Sequence, residues 1–291
     1  MTRDPLSDKA ADAPPSAWAG SRGRRNAVLS IKGALVMLAL WVLVSGSGFA
    51  ARFLEMPAAL AFLEQSSIPQ TLAVAGLTVA ILFFGWRDTG LGAAKPGTAS
   101  VMWFPSLYLL AFAGIMLAFG APSFDVLLSL TYSMIWISIS EEIMFRGLLF
   151  PALRRQMPLW PAIGLTSALF GAVHLLNALG DGDLVGAIIQ TIAATMTGFL
   201  LLALRLRRGS LWPAILYHMA WNVGVFGIGI AVQTDAEYTA ETVREVVTHN
   251  PLTVVLLFAL VLPNALYALW LLRHARRQDL PGDVAHTAPR G

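Results

Sequence analysis

Ser138-Ile139-Ser140-Glu141-Glu142-Ile143-Met144-Phe145-Arg146 closes a run that is otherwise apolar enough to live in lipid. On insertion scales each such charge costs roughly 2.5–3.5 kcal/mol near the middle of a bilayer. Two adjacent carboxylates and a guanidinium therefore require pairing, hydration or a use. The rest of the chain reads as the scaffold that supplies it.

Composition sets the class. Of 291 residues, 56% are hydrophobic and only 13% charged, against about 25% charged in an ordinary soluble domain. The expected fold is an all-α polytopic membrane protein. There are no cysteines, which excludes disulfides and thiolate metal sites. The formal charge of +3 does not point to nucleic acid. The basic residues sit in short connections between apolar runs, where membrane topology places them.

Eight apolar runs fall at about 33–50, 69–86, 103–120, 124–150, 159–178, 184–204, 211–231 and 252–272, each near the ~20 residues that cross the hydrocarbon core. The first competes with a signal peptide, since Gly48-Phe49-Ala50 resembles a cleavage site, but the run exceeds a typical signal h-region. Eight spans put both termini on one side. On that side the connections carry Arg87, Lys95, Arg154, Arg155, Arg205, Arg207 and Arg208, followed by Arg273, Arg276 and Arg277 in the tail. The opposite connections are acidic, with Glu55, Glu64, Asp125, Asp181, Asp183 and the segment 232–250, and their basic residues are Arg52 and Arg244. The positive-inside rule then makes both termini cytoplasmic. Residues 1–27 and 273–291 read as disordered tails around a transmembrane domain at 28–272. The segment 232–250 reads as an extracytoplasmic loop or interfacial helix. The expected location is the cell membrane, a bacterial inner or plasma membrane, with the lipid bilayer as a partner.

Few strong polar groups lie inside the runs: Glu141, Glu142 and Arg146 in the fourth, His174 and Asn177 in the fifth, His218 and Asn222 in the seventh. Glu142 and Arg146 are four apart and can pair on one helix face. Glu141 points about 100° away, which leaves it free to face something else. His218 and Asn222 also project side by side. The fourth and fifth spans form a hairpin whose tip lies near Gln156, Met157 and Pro158. Glu141 and His174 each stand about 16 residues from that tip, so straight helices at ~1.5 Å per residue place both roughly 24 Å from it. His218 lies about ten residues, or roughly 15 Å, beyond the next basic turn. The three can converge in the cytoplasmic half of the membrane.

A carboxylate beside a histidine in a low-dielectric pocket can activate water as a general base. A second histidine with an asparagine supplies donors for a developing oxyanion. Alternatively, Glu141, His174 and His218 could hold a divalent metal such as zinc with a position open for water. Both routes lead to hydrolysis. Serine catalysis has little support, because no Gly-x-Ser-x-Gly is present. Glu142 and Arg146 read as structural and Glu141, His174, His218 and Asn222 as functional. Asn177 reads as an interhelical or helix-end hydrogen bond, Phe170 as packing, and Trp136, Trp160 and Trp212 as belt or packing aromatics. Gly224, Gly227 and Gly229 most simply allow close helix approach.

At these residues the sequence resembles the CPBP intramembrane proteases, which include the type II CAAX prenyl endopeptidases and bacterial Abi-like relatives. Glu141-Glu142-Ile143-Met144-Phe145-Arg146, Phe170-Gly171-Ala172-Val173-His174 and His218-Met219-Ala220-Trp221-Asn222 match the family's three motifs, in order, on separate apolar runs. The match covers roughly 124–230. Trp86-Arg87-Asp88-Thr89-Gly90-Leu91 looks like the segment that often precedes that core. The resemblance implies an eight-helix membrane endopeptidase acting on a membrane-embedded or membrane-anchored peptide. It implies Glu141 as water-activating base with His174, His218 and Asn222 on the oxyanion or a metal, and Glu142 and Arg146 in support. The family is classed with metalloproteases, and a metal-free glutamate mechanism is also argued for it. Two other functions fit intramembrane charge. A proton- or cation-coupled transporter would show repeats and broken helices, and no internal repeat is present. A catalytically silent scaffold is the third reading, against which the intact motifs argue.

Overall fold

The computed structural model describes residues 29–48, 67–233 and 251–273. The tail at 1–27, most of the acidic segment at 232–250 and the tail beyond 273 lie outside the described residues. All regular structure among the described residues is helical. The helices are α1 (Ile31–Ser45), α2 (Ser67–Phe84), α3 (Ala99–Phe119), α4 (Phe124–Glu142), α5 (Phe150–Arg154), α6 (Leu159–Ala172), α7 (Ala178–Asp181), α8 (Leu184–Arg208), α9 (Trp212–Gln233) and α10 (Pro251–Leu272). A π-helical segment, Ile143–Leu149, joins α4 to α5, and a 3₁₀ turn, Val173–Asn177, joins α6 to α7.

All eight apolar runs form helix. Six are long and apolar enough to cross a membrane, Phe124–Arg154 being the longest. Two others, Ile31–Ser45 and Phe258–Leu272, are apolar but shorter. The surface is inverted relative to a soluble protein. Leu43, Phe83 and Leu117 are largely exposed, whereas Ser138, Ser140, Glu142, Arg146, Thr166 and Ser167 are fully buried. Apolar side chains outward and polar ones inward is the arrangement a bilayer rewards.

The fourth span is not the straight helix that periodicity suggests. Pro151 has no N–H to donate to Gly147 one turn back, and its ring crowds that carbonyl. The ladder widens ahead of it, and the Phe150 N–H reaches the Phe145 carbonyl five residues earlier. π-segments of this kind occur mostly as single turns within α-helices, often at functional sites. This one begins immediately after the glutamate pair.

Small residues let the helices close on the interior. A side chain at Gly171 would collide with Thr195 and the Thr191 carbonyl, and one at Gly198 would meet Arg146 Nη2 and Phe170, both at 3.1 Å. Gly224 and Gly227 face Phe112 and Met116 of α3 in the same way, while Gly229 meets nothing. Close approach is therefore the role of two of those three glycines. The connection 85–98 lies as a strap across the helix ends that carry the basic residues. Leu211 N–H donates to the Gly90 carbonyl at 2.7 Å, Ser210 Oγ to that of Gly92 at 2.7 Å and Arg208 Nη1 to that of Pro96 at 2.7 Å. Asp88 lies 3.5 Å from Arg155 and 3.9 Å from Arg205. Trp212, expected as a belt or packing aromatic, donates its indole N–H to the Leu91 carbonyl of the strap.

Candidate active site

The buried ion pair is the foundation of the site. Arg146 Nη1 donates to Glu142 Oε1 at 3.0 Å, and both side chains are wholly buried. The expected intrahelical pair forms although Arg146 sits within the π-segment. Arg146 is held twice more. Its Nη2 donates to the Gly198 carbonyl at 3.3 Å, and its guanidinium lies 3.9 Å over the Phe170 ring.

His218 stands between the two glutamates. Its Nδ1 is 3.0 Å from Glu142 Oε1 and its Nε2 is 3.5 Å from Glu141 Oε2. A carboxylate can only accept, so the Nδ1 contact requires the proton on that nitrogen. The Nε2 contact is attractive when one further proton lies between His218 and Glu141. The doublet does divide as the spacing suggests: Glu142 anchors Arg146 and His218, and Glu141 turns elsewhere. Its freedom is incomplete, because His218 reaches it from α9.

His174 sits in the 3₁₀ turn. Its Nδ1 is 2.9 Å from the Phe170 carbonyl. A carbonyl cannot donate, so Nδ1 carries the proton and Nε2 is the free lone pair of the neutral ring. Phe170 contributes more than generic packing. Its ring meets His174 and His218 edge-on, with centroids at 5.3 and 5.7 Å, while supporting Arg146. It thus fixes the orientation of both imidazoles.

Glu141, His174 and Asn222 share the wall of one cavity of about 280 Å³, which Glu142 does not line. His218 also lies off that wall, behind Glu141. Among the described residues the remaining polar wall consists of Asn177 and of Ser45, Gln70 and Gln190, the last three not anticipated from sequence. Gln70 accepts from Ser140 Oγ at 2.6 Å and from Ser45 Oγ at 3.3 Å. Asn177 donates to Gln190 at 2.8 Å, which fulfils the interhelical role expected of it. A signal was available, since Gln70 and Gln190 are amides within apolar runs.

Among the described residues, no three histidine or acidic side chains form a group able to hold a metal ion. Glu141, His174 and His218 do not form such a group as placed. His174 Nδ1 faces a carbonyl and His218 Nδ1 a carboxylate, partners that a metal-ligating histidine also has, so these contacts suit a metal-held and a metal-free site alike.

Residues 123–224 match the family model described as type II CAAX prenyl endopeptidase Rce1-like. That stretch contains every residue of the three motifs and excludes Ser45 and Gln70. No curated protein and no solved structure matches the chain.

Proposed function

We propose that this chain, a multi-pass membrane protein of the CPBP intramembrane protease family through its Rce1-like segment 123–224, hydrolyses peptide bonds of a membrane-associated substrate with Glu141 as the water-activating base. The family supports a CAAX-type intramembrane protease. The single observation that supports the assignment of Glu141 is its position. It lines the cavity with His174 and Asn222, while its neighbour Glu142 is sealed behind it.

A water in the cavity hydrogen-bonds to Glu141 and to the free Nε2 lone pair of His174. Glu141 takes a proton as the water oxygen attacks the carbonyl carbon. Asn222 offers an amide N–H to the oxyanion that forms. The proton held by Glu141 then passes to the leaving nitrogen, the C–N bond breaks, and the acid and amine products separate. His218, with Nε2 beside Glu141, holds or returns a proton at that oxygen. Its other nitrogen is fixed by Glu142, which Arg146 in turn fixes. His218 thus acts through Glu141, and the oxyanion contact expected of the His218–Asn222 pair falls to Asn222. The metal-held alternative carries its own signature, namely stoichiometric zinc and loss of activity on chelation.

The test compares the membrane proteome of cells carrying wild type or Glu141→Gln. Protein termini that depend on Glu141 identify the activity. Identical termini in the two strains, with both proteins inserted in equal amounts, would sink the hydrolase reading.

A further inference from the structure

The cavity occupies one end of the bundle. Its wall is made by the C-terminal end of α1 (Ser45), the N-terminal end of α2 (Gln70), the turn after α6 (Leu176), the N-terminal end of α8 (Gln190) and the second half of α9 (Phe226). Successive spans run antiparallel, so these ends lie together. The opposite ends carry the strap with Arg87 and Lys95, the hairpin tip with Arg154 and Arg155, and the turn after Arg208. Glu141 lines the cavity and meets His218, which does not line it.

Charge orients the two ends. Lys32, Arg87, Lys95, Arg155, Arg208 and Arg273 all belong to the end away from the cavity. Among the described residues, the cavity end has no lysine or arginine and carries Asp125 and Asp183. By the positive-inside rule the basic end faces the cytoplasm. The sequence alone suggested that Glu141, His174 and His218 converge within the cytoplasmic half of the membrane. The lining residues lie on the other side of Glu141.

Resting on the protease reading, we propose that this cavity opens toward the extracytoplasmic face and receives an uncharged peptide segment presented there. Among the described residues, four amide side chains, Gln70, Asn177, Gln190 and Asn222, line it, and its ionisable members are Glu141 and His174. Amides carry both donors and acceptors without net charge. They match the alternating N–H and C=O groups of an extended backbone, whereas an acidic segment would meet Glu141 with no cation among the described residues of the wall. The substrate class is thus a membrane-anchored protein with an apolar or neutral stretch at the outer membrane surface.

The chain has no cysteine, so each cysteine variant of the full-length protein carries a unique probe. Ser45→Cys and Leu176→Cys sample the cavity, and Arg207→Cys samples the basic end. In intact cells or right-side-out vesicles, a membrane-impermeant maleimide labels the two cavity positions and leaves Arg207→Cys unlabelled. In inverted vesicles the pattern reverses. Cavity positions labelled only in inverted vesicles, or reactive from neither side while a permeant maleimide labels them after denaturation, overturn the proposal. So does labelling of all three positions from one side. None of these readings requires cleavage, so they are independent of the protease assignment. The proteomic comparison adds a second arm. Glu141-dependent termini on the cytoplasmic side would overturn the direction of access alone, and absence of any such termini would overturn the protease reading.

Discussion

Replacing Arg146 by Met strands a carboxylate in the interior. Glu142 and Arg146 lie 3.0 Å apart with neither side chain exposed. Removing one partner of a buried pair costs about 3–5 kcal/mol, mostly from the charge left behind. The lost bond to the Gly198 carbonyl, 3.3 Å from Arg146 Nη2, adds about 1 kcal/mol. Membrane proteins recover part of such losses because the unfolded reference also finds partners, so about 3–5 kcal/mol is a fair total. At about 2–4 °C per kcal/mol for a chain of this size, the unfolding midpoint falls by about 6–20 °C. The assay is thermal unfolding in mild detergent, followed by the fluorescence of the nine tryptophans. The informative comparison is the double variant Glu142→Gln/Arg146→Met, which removes both charges and leaves an amide oxygen for His218 Nδ1. Its midpoint recovers most of the loss, because replacing a whole buried pair by neutral groups is often close to neutral. A shift below about 2 °C for Arg146→Met, or a double variant no better than the single, would refute the reasoning.

Glu141→Gln keeps the shape of the side chain and lowers kcat about 10²–10⁴-fold, the usual contribution of a general base, with an unfolding midpoint close to wild type. Asn222→Ala lowers kcat about 10²–10³-fold with little change in KM, as loss of an oxyanion donor does, measured on any substrate the proteomic comparison identifies. Gly171→Ala forces a methyl group into Thr195 and costs about 1–3 kcal/mol by overpacking, read as a lower unfolding midpoint. Dialysis of the purified protein against a chelator leaves turnover unchanged if Glu141 acts without a metal, and elemental analysis of the same sample gives the zinc content directly.

Much of the site was legible because helical spacing is a local property. The i,i+4 spacing of Glu142 and Arg146 fixes a shared face in an α-turn, and the pair forms although Arg146 lies in the π-segment. The same rule separated Glu141 from Glu142. Glu141 and His174, expected level with each other, line one cavity, although neither connecting helix is straight. Gln70 and Gln190 escaped notice because a neutral amide in an apolar run signals little by itself. What gave them meaning was the arrival of α2 and α8 beside α4 and α6, which no sequence spacing expresses. Phe170 was read as packing because its partners, Arg146 and His218, come from other helices.

The sequence by itself determined the class, the eight apolar runs, the bias of basic charge to one set of connections and the list of ionisable groups that lipid would reject. Those follow from transfer energies and helical period, which depend on near neighbours. Tertiary structure decided three further matters. It put His218 between the glutamates, turned Glu141 rather than Glu142 toward the cavity, and set that cavity at the end away from the basic strap and turns. Each depends on which helix faces which and on how far Pro151 displaces the turn ahead of it. The opening stretch thus holds one carboxylate for the scaffold and one for the cavity. Spacing separated them, and the packing of α9 against α4 showed which way each one faces.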